Sequence, residues 1–584
     1  MTSSQDNSEA GPPTVSRAIA RFISSQGVKR VYTLPGSHVK PICSELDLAG
    51  VRIISARDER SAVHMAHADA DLTGILGVAI VTAGPGMTNA ITSIASAFLA
   101  RTPLLVLSAR VPDPQAGMGA LEEVPQADLV RPVSRHVREI SDARHVLQGL
   151  HLAVSSAMGN DGPAGPAYVD FAPNLLKMRI ADWHLRQNWF EPVKRSVRAP
   201  GQDSIDGAAR LLRQSRRPLV IGGRGALGSG DLLERFLEAS GSLYLDTRES
   251  RGALSPDNAN SVPAQRGRAM AEADLIITLG RRLDFELAFG SPAIFSEGAR
   301  FLRIGRNIEE LSENRPGDVQ LCADVDAALR ALLKSDFKAT DPDRGWREGL
   351  IATNAEKSRA TSEKMANLPV EADGRMHPLT LIGHINRHVD EDTICIVDGG
   401  DILSHARVGL RAYRYLDLGP FGCLGSGVPY AIAASLAFPE DRTVAIVGDG
   451  AFGFSAIEIE TAVRCGARAL FIVANNDAWN IERQDQLIKY ADQELGSTLS
   501  PCRYDLLARS LGAHGERVDR EGDLAGALER GLANLPAVID VAVTRNAISS
   551  DTRSGLANVP PLHAVQAWDD AERAMMDGPA AAPQ

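Results

Sequence analysis

Residues Val444–Asn476 read VAIVGDGAFGFSAIEIETAVRCGARALFIVANN. An aliphatic run closes on Gly448-Asp449-Gly450, a stretch with helical apolar spacing follows, and a second aliphatic run closes on Asn475-Asn476. Buried strand, turn, helix and buried strand make one parallel βαβ unit, so Asp449 and Asn476 are expected at the same carboxyl edge of a sheet. Two hard oxygen donors on one edge suit a magnesium ion. Glycines on both sides of the aspartate let a bulky anion approach the backbone, and the N-terminus of the next helix favours a diphosphate.

A GDG joined by such a segment to a closing NN resembles the signature of thiamine-diphosphate enzymes. Taken alone, Gly-Asp-Gly is a turn and Asn-Asn a polar strand end; the spacing and both aliphatic runs together carry the resemblance. It implies Mg2+ held by the side chains of Asp449 and Asn476 and by the carbonyl of Ala478. It also implies thiamine diphosphate beside Gly448, Gly450, Ala451, Trp479 and Asn480.

A chain of 584 residues has room for roughly three or four domains, each with its own core. Its net charge of -11 argues against a nucleic-acid or anionic-membrane partner. The cysteines, Cys43, Cys322, Cys395, Cys423, Cys465 and Cys502, lie far apart, so neither a zinc knuckle nor a disulfide framework is expected. The opening MTSSQDNSEAGPP lacks the basic and apolar regions of a signal peptide, and no apolar run is long enough to span a membrane. A cytoplasmic, reduced protein is the expectation.

Strand and helix patterns alternate along the chain, predicting α/β architecture with three doubly wound parallel-sheet domains. The expected divisions are a disordered start at 1–13, a pyrimidine-binding domain at 14–182 and a linker at 183–204. A central Rossmann-like domain at 205–335, a charged linker at 336–375 and a diphosphate domain at 376–550 follow. Residues 551–584 are expected to form a C-terminal lid and tail, with Ser554 in the lid.

In the first domain, VKRVYTL leads to Pro35-Gly36-Ser37-His38, VRIIS leads to Arg57-Asp58-Glu59, and ILGVAIVT ends at Thr82 before Ala83-Gly84-Pro85-Gly86. The segment RDERSAVHMAHADA resembles the family's cofactor-activating helix, with Asp58 where histidine is frequent. This implies that Glu59 bonds the aminopyrimidine and drives the tautomer that activates thiazolium C2. By itself Glu59 is an acid favoured in a first helical turn. The resemblance also places Pro35, Gly36, Ser37, Thr82, Gly86 and Asn89 near the cofactor. In the third domain it places Gly400 and Asp401 near the diphosphate, the Gly422 carbonyl on the 4'-amino group, and Leu424 under the bent cofactor.

The central domain opens with RRPLVIGGRGALGSG, where Gly223, Gly225 and Gly228 fit GxGxxG after a strand and Asp246 follows. This supports a second possibility, an NAD-dependent oxidoreductase. A third is a non-catalytic nucleotide-binding relative. Because thiamine enzymes carry a similar central domain, Arg224, Arg266, Arg268, Arg281 and Arg282 are candidate contacts for coenzyme A phosphates. Individually each is an ordinary surface arginine.

Finer motifs bear on the substrate. Ala451-Phe452-Gly453-Phe454-Ser455 with Glu458, Glu460 and Thr461 resembles the AFGFS-x-x-E-x-E-T of 2-hydroxyacyl-CoA lyases and oxalyl-CoA decarboxylases, a pattern from which acetolactate synthases generally depart. Glu122, in Leu121-Glu122-Glu123-Val124-Pro125-Gln126, occupies the place of an active-site polar residue. Ser37-His38 resembles the Ala-His pair of benzaldehyde lyase. Asp551–Leu556 resembles a decarboxylase loop, but Leu556 replaces the arginine that would bind a second carboxylate, so an uncharged, branched substrate fits better. The resemblance thus implies cleavage or formation of a 2-hydroxyacyl-CoA, 2-hydroxyisobutyryl-CoA foremost, with formyl-CoA and acetone as products. Oxalyl-CoA decarboxylase and a carboligase of the acetolactate synthase or benzaldehyde lyase kind are the alternatives. The base for the 2-hydroxyl is expected among Glu482, Gln493 and Glu494, although a solvated polar helix explains the segment equally. Family architecture implies a homodimer or homotetramer in which the parts of each site come from different copies.

Overall fold

Every aliphatic run singled out in the sequence forms a strand, and every ladder between the named strands is parallel. The computed structural model describes residues 12–185, 188–338, 340–489, 493–554 and Asp570. Among these, strands β1 (Arg30–Thr33), β2 (Arg52–Ser55), β3 (Gly77–Val81), β4 (Leu104–Ala109), β5 (His136–Ile140) and β6 (Pro166–Phe171) form a sheet of order 2-1-3-4-6-5. Strands β7 (Pro218–Gly222), β8 (Leu243–Leu245), β9 (Leu275–Leu279), β10 (Arg300–Gly305) and β11 (Val319–Cys322) form the second, of order 11-10-9-7-8. Strands β12 (Thr393–Asp398), β13 (Arg414–Asp417), β14 (Arg442–Gly448), β15 (Ala469–Asn475), β16 (His514–Val518) and β17 (Ala537–Ala542) form the third, of order 13-12-14-15-17-16. The three doubly wound sheets expected from the sequence are all present.

The first and third sheets follow one order, counted from their own first strand. Their third strands, β3 and β14, each run straight into a glycine-flanked helix start, Gly84-Pro85-Gly86 in one and Gly448-Asp449-Gly450 in the other. Central strands of both sheets are buried on both faces, as parallel sheets covered by helices require.

Packing divides the described chain into two compact units. One comprises residues up to Ser196 with Gly419–Ala437, the other Val197–Leu418 with the chain from Phe438 onward. Two local features differ from the sequence expectation. The segment between Asp449 and Asn476 is two helices, Asp449–Ser455 and Glu458–Cys465, rather than one. The expected linker at 336–375 contains a helix of 23 residues, Arg344–Ala366. Only Trp346, Leu350 and Met365 of that helix are buried, so its charged composition hides a continuous helix behind a sparse apolar stripe.

The helix Glu59–Thr73 lies against β3 with its backbone almost in contact. A Cβ at Gly77, the first residue of β3, would stand 2.2 Å from the carbonyl oxygen of Ala66. Gly77→Ala is therefore expected to destabilise this unit by about 2–3 kcal/mol. Gly74→Ala meets open space and costs only its left-handed conformation (φ +70°), about 1 kcal/mol. Urea midpoints of the two variants check this order, and a smaller shift for Gly77→Ala contradicts the close contact.

Candidate active site

In the first unit, Glu59 opens its helix after Asp58, whose carboxylate caps the Arg60 N–H at 2.7 Å. The Glu59 side chain is buried, and its Oε2 accepts a hydrogen bond from Asn89 Nδ2 at 3.1 Å. Asn89, expected at the cofactor, thus orients the acid. A Cβ at Gly86 would come within 3.3 Å of Glu59 Oε1, so the Gly84-Pro85-Gly86 turn lies directly beside the carboxyl group. Gly36 packs against Thr82, where an added Cβ would meet the threonine side chain at 2.4 Å, while Pro35 and Ser37 are exposed.

His38 Nδ1 lies 3.3 Å from Thr82 Oγ1 and 3.4 Å from Glu122 Oε2. The structure therefore gathers three residues that the sequence placed only separately near the reaction. Glu122 holds a left-handed backbone, φ +67°, and its carbonyl oxygen would lie 2.6 Å from a Cβ on Gly84. The loop folds on itself, with the Glu123 carboxylate accepting the N–H groups of Gly117, Gly119 and Ala120. These backbone donors hold Glu123 below the usual carboxylate range.

Gln126 was missed as a site residue. Its Oε1 accepts the Gly84 N–H at 3.2 Å, while its Nε2 donates to the Ala109 carbonyl at 2.8 Å and the Tyr168 hydroxyl at 2.7 Å. It thereby ties the Glu122 loop to the glycine turn beside Glu59. A glutamine after a proline carries no signal in sequence; only the three convergent partners reveal its place.

The turn with Gly422 and Leu424 belongs to the same unit. Gly422 is exposed with φ +68°, Leu424 is half-buried, and the helix Gly427–Ala437 behind them packs on the Glu59 helix. Tyr430 hydroxyl meets His67 Nδ1 at 3.0 Å, and Cys423 Sγ lies 3.7 Å from His64 Nε2. Burial lowers the His64 pKa well below its ordinary value, so the imidazole is neutral here.

In the second unit, β14 pairs with β15 so that Gly448 faces Ala474, bringing Asp449 and Asn476 out at one edge. Asp449 is buried, and that burial pushes its carboxyl up to about 7. Asn476 Oδ1 accepts the Ala478 N–H at 3.1 Å, and its Nδ2 donates to Asp401 Oδ2 at 3.3 Å. Asn480 Nδ2 donates to the same oxygen at 2.9 Å, and burial pushes Asp401 up to about 6. Asp401, expected beside the diphosphate, thus orients two amides. Ala451 and Ala478 are buried, and a Cβ on Gly450 would strike the Trp479 ring at 2.4 Å. At Gly400 it would meet Ile481 at 2.7 Å.

This edge fits Mg2+ and a diphosphate. One carboxylate, one amide oxygen and the Ala478 carbonyl would supply hard oxygens, and the buried Oδ1 atoms of Asp401 and Asn480 have no hydrogen-bond partner in the protein. Among the described residues no cluster of three or more His, Cys, Asp or Glu side chains offers a different metal site.

The base candidates fare differently. Glu482 is exposed on the helix Asn480–Lys489, and Gln493 is exposed. Glu494 accepts from the Thr498 hydroxyl at 2.6 Å and Arg483 at 2.7 Å, which hold it below the usual carboxylate range and make it a weak base. Ser554 ends the last described helix, Ser550–Ser554, and Leu556 lies outside the described residues.

Of the central arginines, Arg281 is buried and faces Asp284, Glu286 and Glu249, and Arg266 is half-buried with a bond to the Asp246 carbonyl. Their charges are compensated inside the domain. Arg268 pairs with Glu272 and Arg282 with Glu313 nearer the surface, and Arg224 is half-buried. Gly223 and Gly225 abut Gly280, so their missing side chains make room for loop-on-loop packing.

Family models match in the order of the sheets: the N-terminal thiamine pyrophosphate binding domain at residues 13–129, the central domain at 205–332 and the C-terminal binding domain at 402–541. A Mycobacterium bovis protein described as a probable acetolactate synthase is 32% identical over 95% of this chain and 100% of its own length. Human 2-hydroxyacyl-CoA lyase 2 is 28% identical over 86% of this chain and 85% of its own, and mouse 2-hydroxyacyl-CoA lyase 1 is 28% identical over 91% and 94%. The two helix starts at strand ends, the buried acids beside them and these matches have one meaning: the chain belongs to the thiamine pyrophosphate enzymes, which make or break carbon–carbon bonds.

Proposed function

We propose that this enzyme cleaves, or in reverse forms, a 2-hydroxyacyl-CoA, with 2-hydroxyisobutyryl-CoA as substrate and formyl-CoA and acetone as products. The observation that carries this reading is the likeness, over most of the chain, to proteins named 2-hydroxyacyl-CoA lyase, joined to the polar cluster of His38, Thr82 and Glu122 beside the Glu59 turn. Bound thiamine diphosphate supplies an electron sink for a carbanion next to a carbonyl. Glu59, oriented by Asn89, is the acid for the aminopyrimidine; Leu424 and the Gly422 carbonyl seat that ring. Asp449, Asn476 and Ala478 hold Mg2+.

At the substrate, His38 and Glu122 are the groups best placed to hold or move the 2-hydroxyl proton. Glu482 remains a candidate for closing over the acyl group, whereas Glu494 acts by fixing Arg483. Arg224, Arg268 and Arg282, less buried than Arg281, are the candidates for coenzyme A phosphates. The working assembly is a homodimer or homotetramer. Among the described residues no helix is long and apolar enough to cross a membrane.

The 32% identity to a probable acetolactate synthase favours a second reading, a carboligase acting on 2-oxo acids. Incubation with 2-hydroxyisobutyryl-CoA, thiamine diphosphate and Mg2+ is expected to yield acetone and formyl-CoA by mass spectrometry. Acetolactate from pyruvate, with the acyl-CoA untouched, would replace the lyase by the carboligase. Glu59→Gln is expected to lower turnover by about 10²–10⁴-fold while thiamine diphosphate binding, followed calorimetrically, persists. Chelation of Mg2+ is expected to abolish activity reversibly.

A further inference from the structure

The loop that presents Asn476 and Ala478 contains one residue whose conformation is costly. Asp477 stands between them with φ +55°, in the left-handed region that residues with a Cβ enter at a penalty. The local hydrogen bonds depend on that bend. The Asp477 N–H donates to Asn475 Oδ1 at 3.3 Å and the Ala478 N–H to Asn476 Oδ1 at 3.1 Å. An extended Asp477 would withdraw these donors and rotate the Ala478 peptide.

The loop backbone is held by the Leu499 N–H on the Asp477 carbonyl and the Trp479 N–H on the Ser497 carbonyl, both at 2.8 Å, while the Asp477 side chain is held from far away in sequence. Arg375 Nη2 pairs with Asp477 Oδ2 at 2.7 Å, with the two side chains 29% and 11% exposed. Arg375 is itself fixed. Its N–H donates to Asp373 Oδ1, Thr544 Oγ1 donates to Asp373 Oδ2 at 2.8 Å, and the Thr544 N–H donates to the Met376 carbonyl at 2.9 Å. Met376 bridges Val543, just beyond β17, and β17 lies beside β15 with Ala542 opposite Asn475. The arginine is thus delivered to the strand edge where the metal loop emerges. It also neutralises a carboxylate adjacent to the metal residues, which would otherwise be free to swing toward the cation.

We infer that Arg375 and Asp477 are positioning residues for the metal: the ion pair holds Asp477 in its left-handed bend and thereby aims Asn476 and the Ala478 carbonyl. The inference rests on the assignment of Asn476 and Ala478 to Mg2+, and the test separates the two. The readout is Mg2+ affinity by calorimetry with saturating thiamine diphosphate, alongside the melting temperature of the metal-free protein. Arg375→Met is expected to weaken Mg2+ binding about 10–100-fold, the scale of lost support behind metal ligands, with the metal-free melting temperature unchanged. Glycine adopts the bend without help, so Asp477→Gly is expected to bind Mg2+ about tenfold more tightly than Asp477→Ala. For the same reason it should restore affinity when added to Arg375→Met. Equal losses in Asp477→Gly and Asp477→Ala, or no rescue of Arg375→Met, would overturn the clamp. So would wild-type affinity in Arg375→Met beside a loss in Asn476→Ala. Wild-type affinity in Asn476→Ala would instead overturn the metal assignment, and the inference with it.

Discussion

The pairing of β14 with β15 is the constraint on which the second unit's chemistry depends. Parallel register places Gly448 opposite Ala474, so Asp449 and Asn476 leave the sheet at one level and face the same space. A slip of one residue would turn every side chain of a strand to the other face. Both strands are buried along almost their whole length, which makes such a slip prohibitive. Sheet packing thus secures the relative position of Asp449 and Asn476, and only the loop beyond Asn475 needs further support.

Much of this was legible in sequence because buried parallel strands announce themselves as aliphatic runs. β3, β4, β12, β14 and β15 are such runs, and the residues that follow each one can be assigned to a sheet edge without knowing any contact. The half-exposed β5, HVREI, carries no such signal. Nor does the helix Arg344–Ala366, whose three buried side chains are too few to set a period. Partnership is less legible still. Composition shows that Gln126, Asp401 and Arg375 are polar, but their roles lie in which atoms they meet across long stretches of chain.

The substrate-level motif has a structural explanation that limits what it says. Phe452 is buried against Tyr504, with ring centroids 5.2 Å apart, and Glu458 is buried with the Thr461 hydroxyl donating to it at 2.6 Å. These are packing and helix-internal contacts. They mark descent within the family rather than contact with a substrate, in keeping with likeness, over most of the chain, to both a probable acetolactate synthase and 2-hydroxyacyl-CoA lyases. Under the proposed reading, discrimination between such reactions falls instead to His38 and Glu122.

The shared strand order of the first and third sheets has a consequence for how new chemistry arises in this architecture. At the end of the third strand one sheet places Gly-Pro-Gly beside a carboxyl on a neighbouring helix, and the other places Gly-Asp-Gly. The same scaffold position thus carries a turn without an acidic side chain in one sheet and a buried carboxylate in the other. One strand order can therefore present different chemistry at its edge, because the difference is confined to the residues just past the third strand while the buried strands themselves serve packing.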